Sequence, residues 1–161
     1  MDILFEQKIV QNEALAAEMI WQAVYEAFEI KKREEGVPLL LTFLILPAVF
    51  HRQTTNALAN KTQPGALYKA LAQNPEIIVG YQERMQSLSS RTLRSLSVGF
   101  DSGLLQLDVA NSHNIVPLRK TLPIEHATAE IRSMLSAAKR MGQALAEMTP
   151  AQLLTHLNVR F

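Results

Sequence analysis

The chain has 161 residues, of which 48% are apolar and 19% charged, with a formal net charge of +1 and no cysteine. This composition predicts one globular domain, long enough to bury about 70% of its unfolded surface. The lack of cysteine excludes disulfides, thiolate catalysis and cysteine zinc sites. So small a net charge gives no overall attraction to nucleic acid or membranes. The start, MDILFEQK, has no basic stretch, so we expect no signal peptide and a cytoplasmic protein.

The N-terminal part, residues 8–60, is predicted to be helical. Residues 11–33 place apolar side chains at helical spacing and contain neither glycine nor proline. Three bases, from Lys31 to Arg33, lie near the end of this segment, where cations suit the helix dipole. The pattern therefore predicts a long amphipathic helix that Gly36 closes.

The uncharged run at residues 37–50, VPLLLTFLILPAVF, must be buried in protein because a membrane span takes about 20 apolar residues. For residues 39–46 a helix and a strand remain alternatives, since periodicity cannot separate them. We favour a helix that continues to Ala59, because leucine is frequent and β-branched residues are few. This helix is expected to bend at Pro47 and to place His51 and Arg52 at the edge of the core.

The central part, residues 66–120, is predicted to be three short helices followed by a β-hairpin, after a turn at TQPG. The first helix is expected over residues 66–72. The second begins at Pro75, with Asn74 as its N-cap. The third begins with Ser89 or Ser90 as its cap and continues to about Val98, where glycines end it. Alternating residues at 104–108 and a return at 115–118 predict the hairpin, with a loop of about four or five residues. This order is that of a winged helix-turn-helix.

The C-terminal part, residues 124–161, is predicted to contain a long helix and a short one. The long helix carries an apolar stripe at three- and four-residue spacing, formed by Ile124, Ala127, Ile131, Met134, Ala138, Met141 and Leu145. This stripe packs in the core or, as the alternative, receives a helix from a partner. Thr149 to Gln152 reads as a capping box with Pro150 at the first helical position. The fold class is thus mainly α with one small hairpin, in a single domain.

The candidate contact site is a set of basic residues on the third helix, its neighbour and the end of the hairpin. In a winged helix, the third helix and the hairpin, or wing, touch DNA. The alternative is an ordinary solvated face, since residues 51–120 contain eight bases against four acids. The candidate residues are Arg84, Arg91, Arg94, Arg119 and Lys120.

Other patterns point away from a catalytic, cofactor or metal site. His126 and Glu130 share a predicted helix face, but zinc needs three or four ligands. Ser136 and Lys139 match the S-x-x-K spacing of penicillin-binding enzymes without the companion motifs of that class. Glycine-rich nucleotide loops are absent from the sequence, and no pair of acids stands out for acid–base work.

Four segments carry a resemblance to a known family: NEALAAEMIWQAV, PLLLTFLILPAVFHRQTTNAL, NPEIIVGYQERMQSLSSRTLRSLSVGFDSGLLQLD and AAKRMGQALAEMTPAQLLTHLNVRF. Most of it comes from Leu46, Pro47 and His51, from the following residues Thr54 to Leu58, and from the final Val159-Arg160-Phe161. Together they resemble the middle component of bacterial ABC-type three-component systems. The resemblance implies a small protein encoded with an SMC-like ABC ATPase and effector subunits, acting against phages or other foreign DNA. It implies no catalytic residue.

The functional expectation is therefore a non-enzymatic adaptor that binds the ATPase and an effector protein and contacts DNA inside the complex, with no membrane partner and no cofactor. The first alternative is a free-standing winged-helix DNA-binding regulator. The second is a small hydrolase whose site has no recognisable motif.

Overall fold

The computed structural model describes residues 12–61, 63–120 and 128–161, and these form a mainly helical fold with one small antiparallel sheet. The predicted fold class is confirmed. The described residues contain eight α-helices, two 3-10 helices and three strands. The α-helices are α1 Glu13–Ile30, α2 Ile45–Val49, α3 Arg52–Ala59, α4 Ala66–Gln73, α5 Tyr81–Ser87, α6 Ser89–Asp101, α7 Ala129–Glu147 and α8 Pro150–Leu157. The 3-10 helices are Leu39–Leu44 and Pro75–Ile78, and the strands are β1 Val37–Pro38, β2 Leu105–Asp108 and β3 Asn114–Pro117.

Helix α1 lies at the centre of the fold and begins at Asn12, whose side chain accepts hydrogen bonds from the amides of Ala14 and Leu15. Nine of its residues are buried, and it packs against both α6 and α7. Buried Trp21 stacks on Tyr25 and donates from Nε1 to the carbonyl of Arg119, 3.0 Å away. This bond ties α1 to the segment that follows the hairpin.

From Leu39 onward the apolar run is helical, as predicted, but it changes from a 3-10 helix to an α-helix at Ile45, and the α-helix ends beyond Pro47. Pro47 is the third residue of α2, where a missing N–H costs nothing because first-turn amides have no partner inside the helix. The chain instead leaves the helix at Phe50 and becomes extended at His51 before α3. The Thr55 hydroxyl donates to the carbonyl of Val49, which the break leaves without a helical partner. The predicted kink at Pro47 is therefore wrong.

The predicted caps of the central helices are observed in part. Asn74 is the N-cap residue before Pro75, as predicted, but its side chain makes no bond to that 3-10 helix and donates to the carbonyl of Ala70 at the end of α4. Ser89 is the first residue of α6 and not its N-cap, and its hydroxyl donates to the carbonyl of Gln86. Helix α6 also runs past Val98 to Asp101. Leu88 alone separates α5 from α6, in the right-handed helical region, whereas a helix-turn-helix has a turn of three or four residues. The helix-turn-helix detail is not confirmed.

The hairpin is confirmed and gains a third strand. Strand β2 pairs antiparallel with β3 across a five-residue loop, and β3 also pairs with β1, giving the order β1-β3-β2. Gly36 lets β1 approach β3, because a Cβ there would lie 2.5 Å from the carbonyl oxygen of Ile115. The two-residue strand β1 forms the start of the apolar run and joins it to the sheet.

The stripe on α7 is core where the structure describes it: Met134, Ala138, Met141 and Leu145 are buried, and Ile131 packs against them. Ile124 and Ala127 lie outside the described residues. Thr149 forms the predicted capping box with Gln152 at the start of α8. Within residues 12–61, 63–120 and 128–161, no helix is both long and apolar enough to cross a membrane.

Candidate functional site

Arg84 has an inward-facing, half-buried side chain. It donates to the carbonyls of Ile77 at 3.1 Å, Val79 at 3.0 Å and Pro47 at 3.4 Å, and its guanidinium lies over the ring of Tyr81. Burial is the main cause that lowers the pKa of Arg84. These contacts hold the second 3-10 helix and α2 together, so most donors of Arg84 are already used inside the chain.

Tyr81 lies on the same turn of α5 as Arg84 and also donates to a backbone carbonyl of another element. It is fully buried, its hydroxyl donates to the carbonyl of Leu44, and burial raises its pKa. His51 lies nearby, and its pKa is lowered by burial and then by the charge of Arg84. The sequence analysis did not single out Tyr81, because no local pattern shows that its partner carbonyl lies 37 positions away.

Arg91 and Arg94 have different surroundings on α6. The Nη1 atom of Arg91 is buried and has no hydrogen-bond partner among the residues that the structure describes. Arg94 is exposed and forms an ion pair with Glu13 at the start of α1. The charge of Arg94 is therefore neutralised within the chain.

The last two candidates follow the hairpin. Arg119 donates from Nη2 to the carbonyl of Ser102 at 3.2 Å, while its own carbonyl accepts from Trp21. Lys120 is exposed, at the edge of the described residues. Arg84, Arg94 and Arg119 thus bind three different parts of the fold, and their predicted contact with DNA or a partner stays a prediction.

The exposed side of α6 is nearly neutral. It presents one base, Arg94, one acid, Asp101, and an apolar side chain, Leu93, which is 54% exposed. A helix that binds DNA phosphates is expected to present a cluster of cations instead. This surface therefore lacks the charge that binding to DNA phosphates requires.

No group of three or more possible metal ligands occurs among the described residues. His126 lies outside them, and Glu130 lies 3.8 Å from Arg52. His156 packs edge-on against Tyr68. The serine of the S-x-x-K match, Ser136, lies in the middle of α7 and not at a helix start, so it does not sit where that class of enzyme places its nucleophile.

Comparison with known proteins assigns the family. The family model of the ABC-three component (ABC-3C) system Middle Component 3 matches residues 2–161. The chain belongs to this family. The resemblance found in the sequence is confirmed, and the chain is a middle component of an ABC-3C system. No curated protein and no solved structure gives a significant match.

The segment from Leu46 to His51 is one of those in which the sequence resembles the family. In this Middle Component 3 chain, the carbonyl of Pro47 accepts a bond from Arg84, and His51 Nδ1 lies 2.7 Å from the hydroxyl of Thr54. Among the residues that carry the resemblance, those from Leu46 to Thr54 therefore form the helix break and its supports.

Proposed function

We propose that this chain is a non-enzymatic adaptor that links an SMC-like ABC ATPase to effector subunits in a cytoplasmic defence complex of bacteria. The observation that carries the proposal is the match of residues 2–161 to a family of middle components. A middle component belongs to a system of three components, so binding to other subunits is its expected work. The target of the defence would be phages or plasmids.

Support for a protein partner comes from the surface of α6. Its exposed side carries one base, Arg94, which is bound to Glu13, and one acid, Asp101. It lacks the cluster of cations expected of a surface that binds DNA phosphates. We therefore expect this surface of α6 to contact protein in preference to DNA.

Co-purification with the co-encoded ATPase tests the adaptor role. We expect the two proteins to elute together at moderate salt, and an effector subunit to join only when this chain is present. A chain that elutes alone beside a folded ATPase would refute the adaptor. The effector provides the second readout, since an adaptor must be required for its recruitment.

A free-standing DNA-binding regulator is the second candidate, and one observation favours it. Helix α6 leads directly into the β2–β3 hairpin, which Arg119 and Lys120 follow, as the winged-helix interpretation of residues 66–120 expects. We retain the winged-helix interpretation of residues 66–120 as part of the proposal. It also allows a contact with DNA inside the defence complex.

DNA binding can be measured on random and genomic duplexes at two salt concentrations. If cations bind phosphates, affinity should fall as salt rises, and the salt slope should decrease by about one for each phosphate-binding residue that is replaced. Arg94→Glu and Lys120→Glu should then weaken binding, whereas Lys69→Glu on α4 should not. A preferred sequence would favour the regulator, and unchanged binding in both variants would show that the basic residues are only solvated surface.

A further inference from the structure

A groove of about 310 Å³ lies between the first 3-10 helix, the α5–α6 pair and residues 160–161. Its apolar lining comes from Leu40, Phe43, Met85 and Phe161. Leu40 and Phe161 are 57% and 55% exposed, so two large apolar side chains border the groove and face solvent. Such exposure costs solvation free energy that a partner would recover.

The wall that carries Phe161 is held in place. The side-chain amide of Gln82 donates from Nε2 to the carbonyl of Arg160, 3.0 Å away. Its Oε1 accepts a hydrogen bond from the backbone N–H of Arg160 at 2.7 Å. Asn158 turns the chain in a left-handed conformation, and Val159 is buried. The groove is therefore preformed, which reduces the entropy cost of filling it.

The polar lining has a single sign of charge. Among the residues that the structure describes, its polar side chains are those of Gln82, Gln86, Ser89 and Arg160, which include one cation and no carboxylate. No carboxylate among the described residues pairs with Arg160, in contrast to Arg94, which binds Glu13. An occupant that carries a carboxylate would complement this charge.

The groove has the dimensions of a helix-binding site. Its helical wall is formed by positions 82, 85, 86 and 89, which share one face over about two turns, or about 10 Å. Leu93 lies one turn further along α6 and is also exposed. Two apolar side chains of a bound helix, one turn apart, fit this length.

We propose that this groove receives an amphipathic helix of the SMC-like ATPase, with two apolar anchors and an Asp or Glu that pairs with Arg160. The inference rests on the proposed adaptor function and specifies its docking surface. A second copy of this chain is a poorer occupant. Two grooves meeting about a two-fold axis would bring two uncompensated Arg160 side chains together.

Binding of the purified co-encoded ATPase, measured by titration calorimetry, tests the groove. Leu40→Ala and Phe161→Ala should each weaken binding about tenfold, because each removes a large apolar side chain that a bound helix would cover. Arg160→Glu should also weaken binding, by a factor that shrinks as salt rises. Val109→Ala at the exposed hairpin loop and Lys69→Glu on α4 are the matched controls and should bind as the wild type does. Melting temperatures close to wild type would show that the variants fold.

A photocrosslinking residue at position 161 identifies the occupant. We expect a crosslink to a helix of the ATPase that contains an acidic residue. A crosslink to a second copy of this chain or to the effector would overturn the proposal. Wild-type binding with unaffected groove variants would also overturn it and leave the adaptor role intact, whereas no binding by the wild type would refute both.

Discussion

The interface between α1 and α7 and the layer formed by α5 and α6 are held together by different forces. At the first, small side chains let two helix backbones approach: a Cβ at Gly142 would lie 2.3 Å from the carbonyl oxygen of Ala23. At the second, polar side chains reach backbone carbonyls of other elements, as Tyr81 does to Leu44 and Arg84 does to Pro47. Close packing stabilises one region, and directed hydrogen bonds stabilise the other.

This difference has a physical origin in what each region must accommodate. Helices α1 and α7 are regular, so their backbone polar groups are satisfied internally and their contact depends on shape. The apolar run and the second 3-10 helix are broken into short pieces, which leave carbonyls without helical partners. Arg84 and Tyr81 supply donors for those carbonyls. The irregular part of the fold is thus the part that depends on single polar residues.

The largest effect is expected from Gly142→Ala. The added methyl group meets backbone and not a flexible side chain, so the helices must separate, and we expect the free energy of unfolding to fall by about 1–3 kcal/mol. Chemical denaturation monitored by circular dichroism measures this fall.

Gly99→Ala on α6 is the matched control, because its new Cβ would meet the end of the Leu105 side chain. Leu105 is itself buried, but a terminal methyl group can shift more readily than backbone. Alanine is also the better helix former by about 1 kcal/mol, so a smaller loss than for Gly142→Ala is expected. Equal losses in both variants would mean that the α1–α7 contact is no tighter than that of α6 with the sheet.

Arg84→Met should lower the free energy of unfolding by about 1–3 kcal/mol, since it leaves part-buried carbonyls unsatisfied while keeping most of the apolar stem. Arg94→Met removes an exposed ion pair with Glu13 and should cost about 0–1 kcal/mol. Thermal melts of the two variants give the comparison. If neither substitution changes the stability, the bonds from Arg84 to carbonyls contribute nothing to it, and Arg84 is not a structural residue.

A smaller effect than for Arg84→Met, about 1 kcal/mol near neutral pH, is expected from Tyr81→Phe, which removes one buried hydrogen bond. Alkaline pH adds a distinct signature. Because burial raises the pKa of Tyr81, the folded state keeps a proton that the unfolded state releases above about pH 10. Wild-type stability should therefore fall with rising pH more steeply than that of the variant, by about 1.4 kcal/mol per pH unit. Parallel curves in urea titrations above pH 10 would contradict this.

The candidate site could be predicted only in part. Spacing along the helices correctly indicated that Arg91 and Arg94 lie on one helix, and the hairpin was predicted with its loop length. The partners of the arginines were not predictable, because Glu13 and Pro47 lie 81 and 37 positions away from Arg94 and Arg84. Only folding brings such pairs within reach, so a cation that looks available in the sequence is already used in the structure.

The sequence by itself determined the helical class, the burial of most of residues 37–50 (though not of Leu39 and Leu40, which are exposed), the stripe of α7, the capping box at Thr149 and the family. Each depends on local periodicity, local hydrogen bonds or a pattern along the chain. The tertiary structure alone decided where the apolar run breaks, that β1 joins β3, and that a groove opens beside Arg160. These features depend on atoms from distant segments meeting, and no short window of sequence contains both partners.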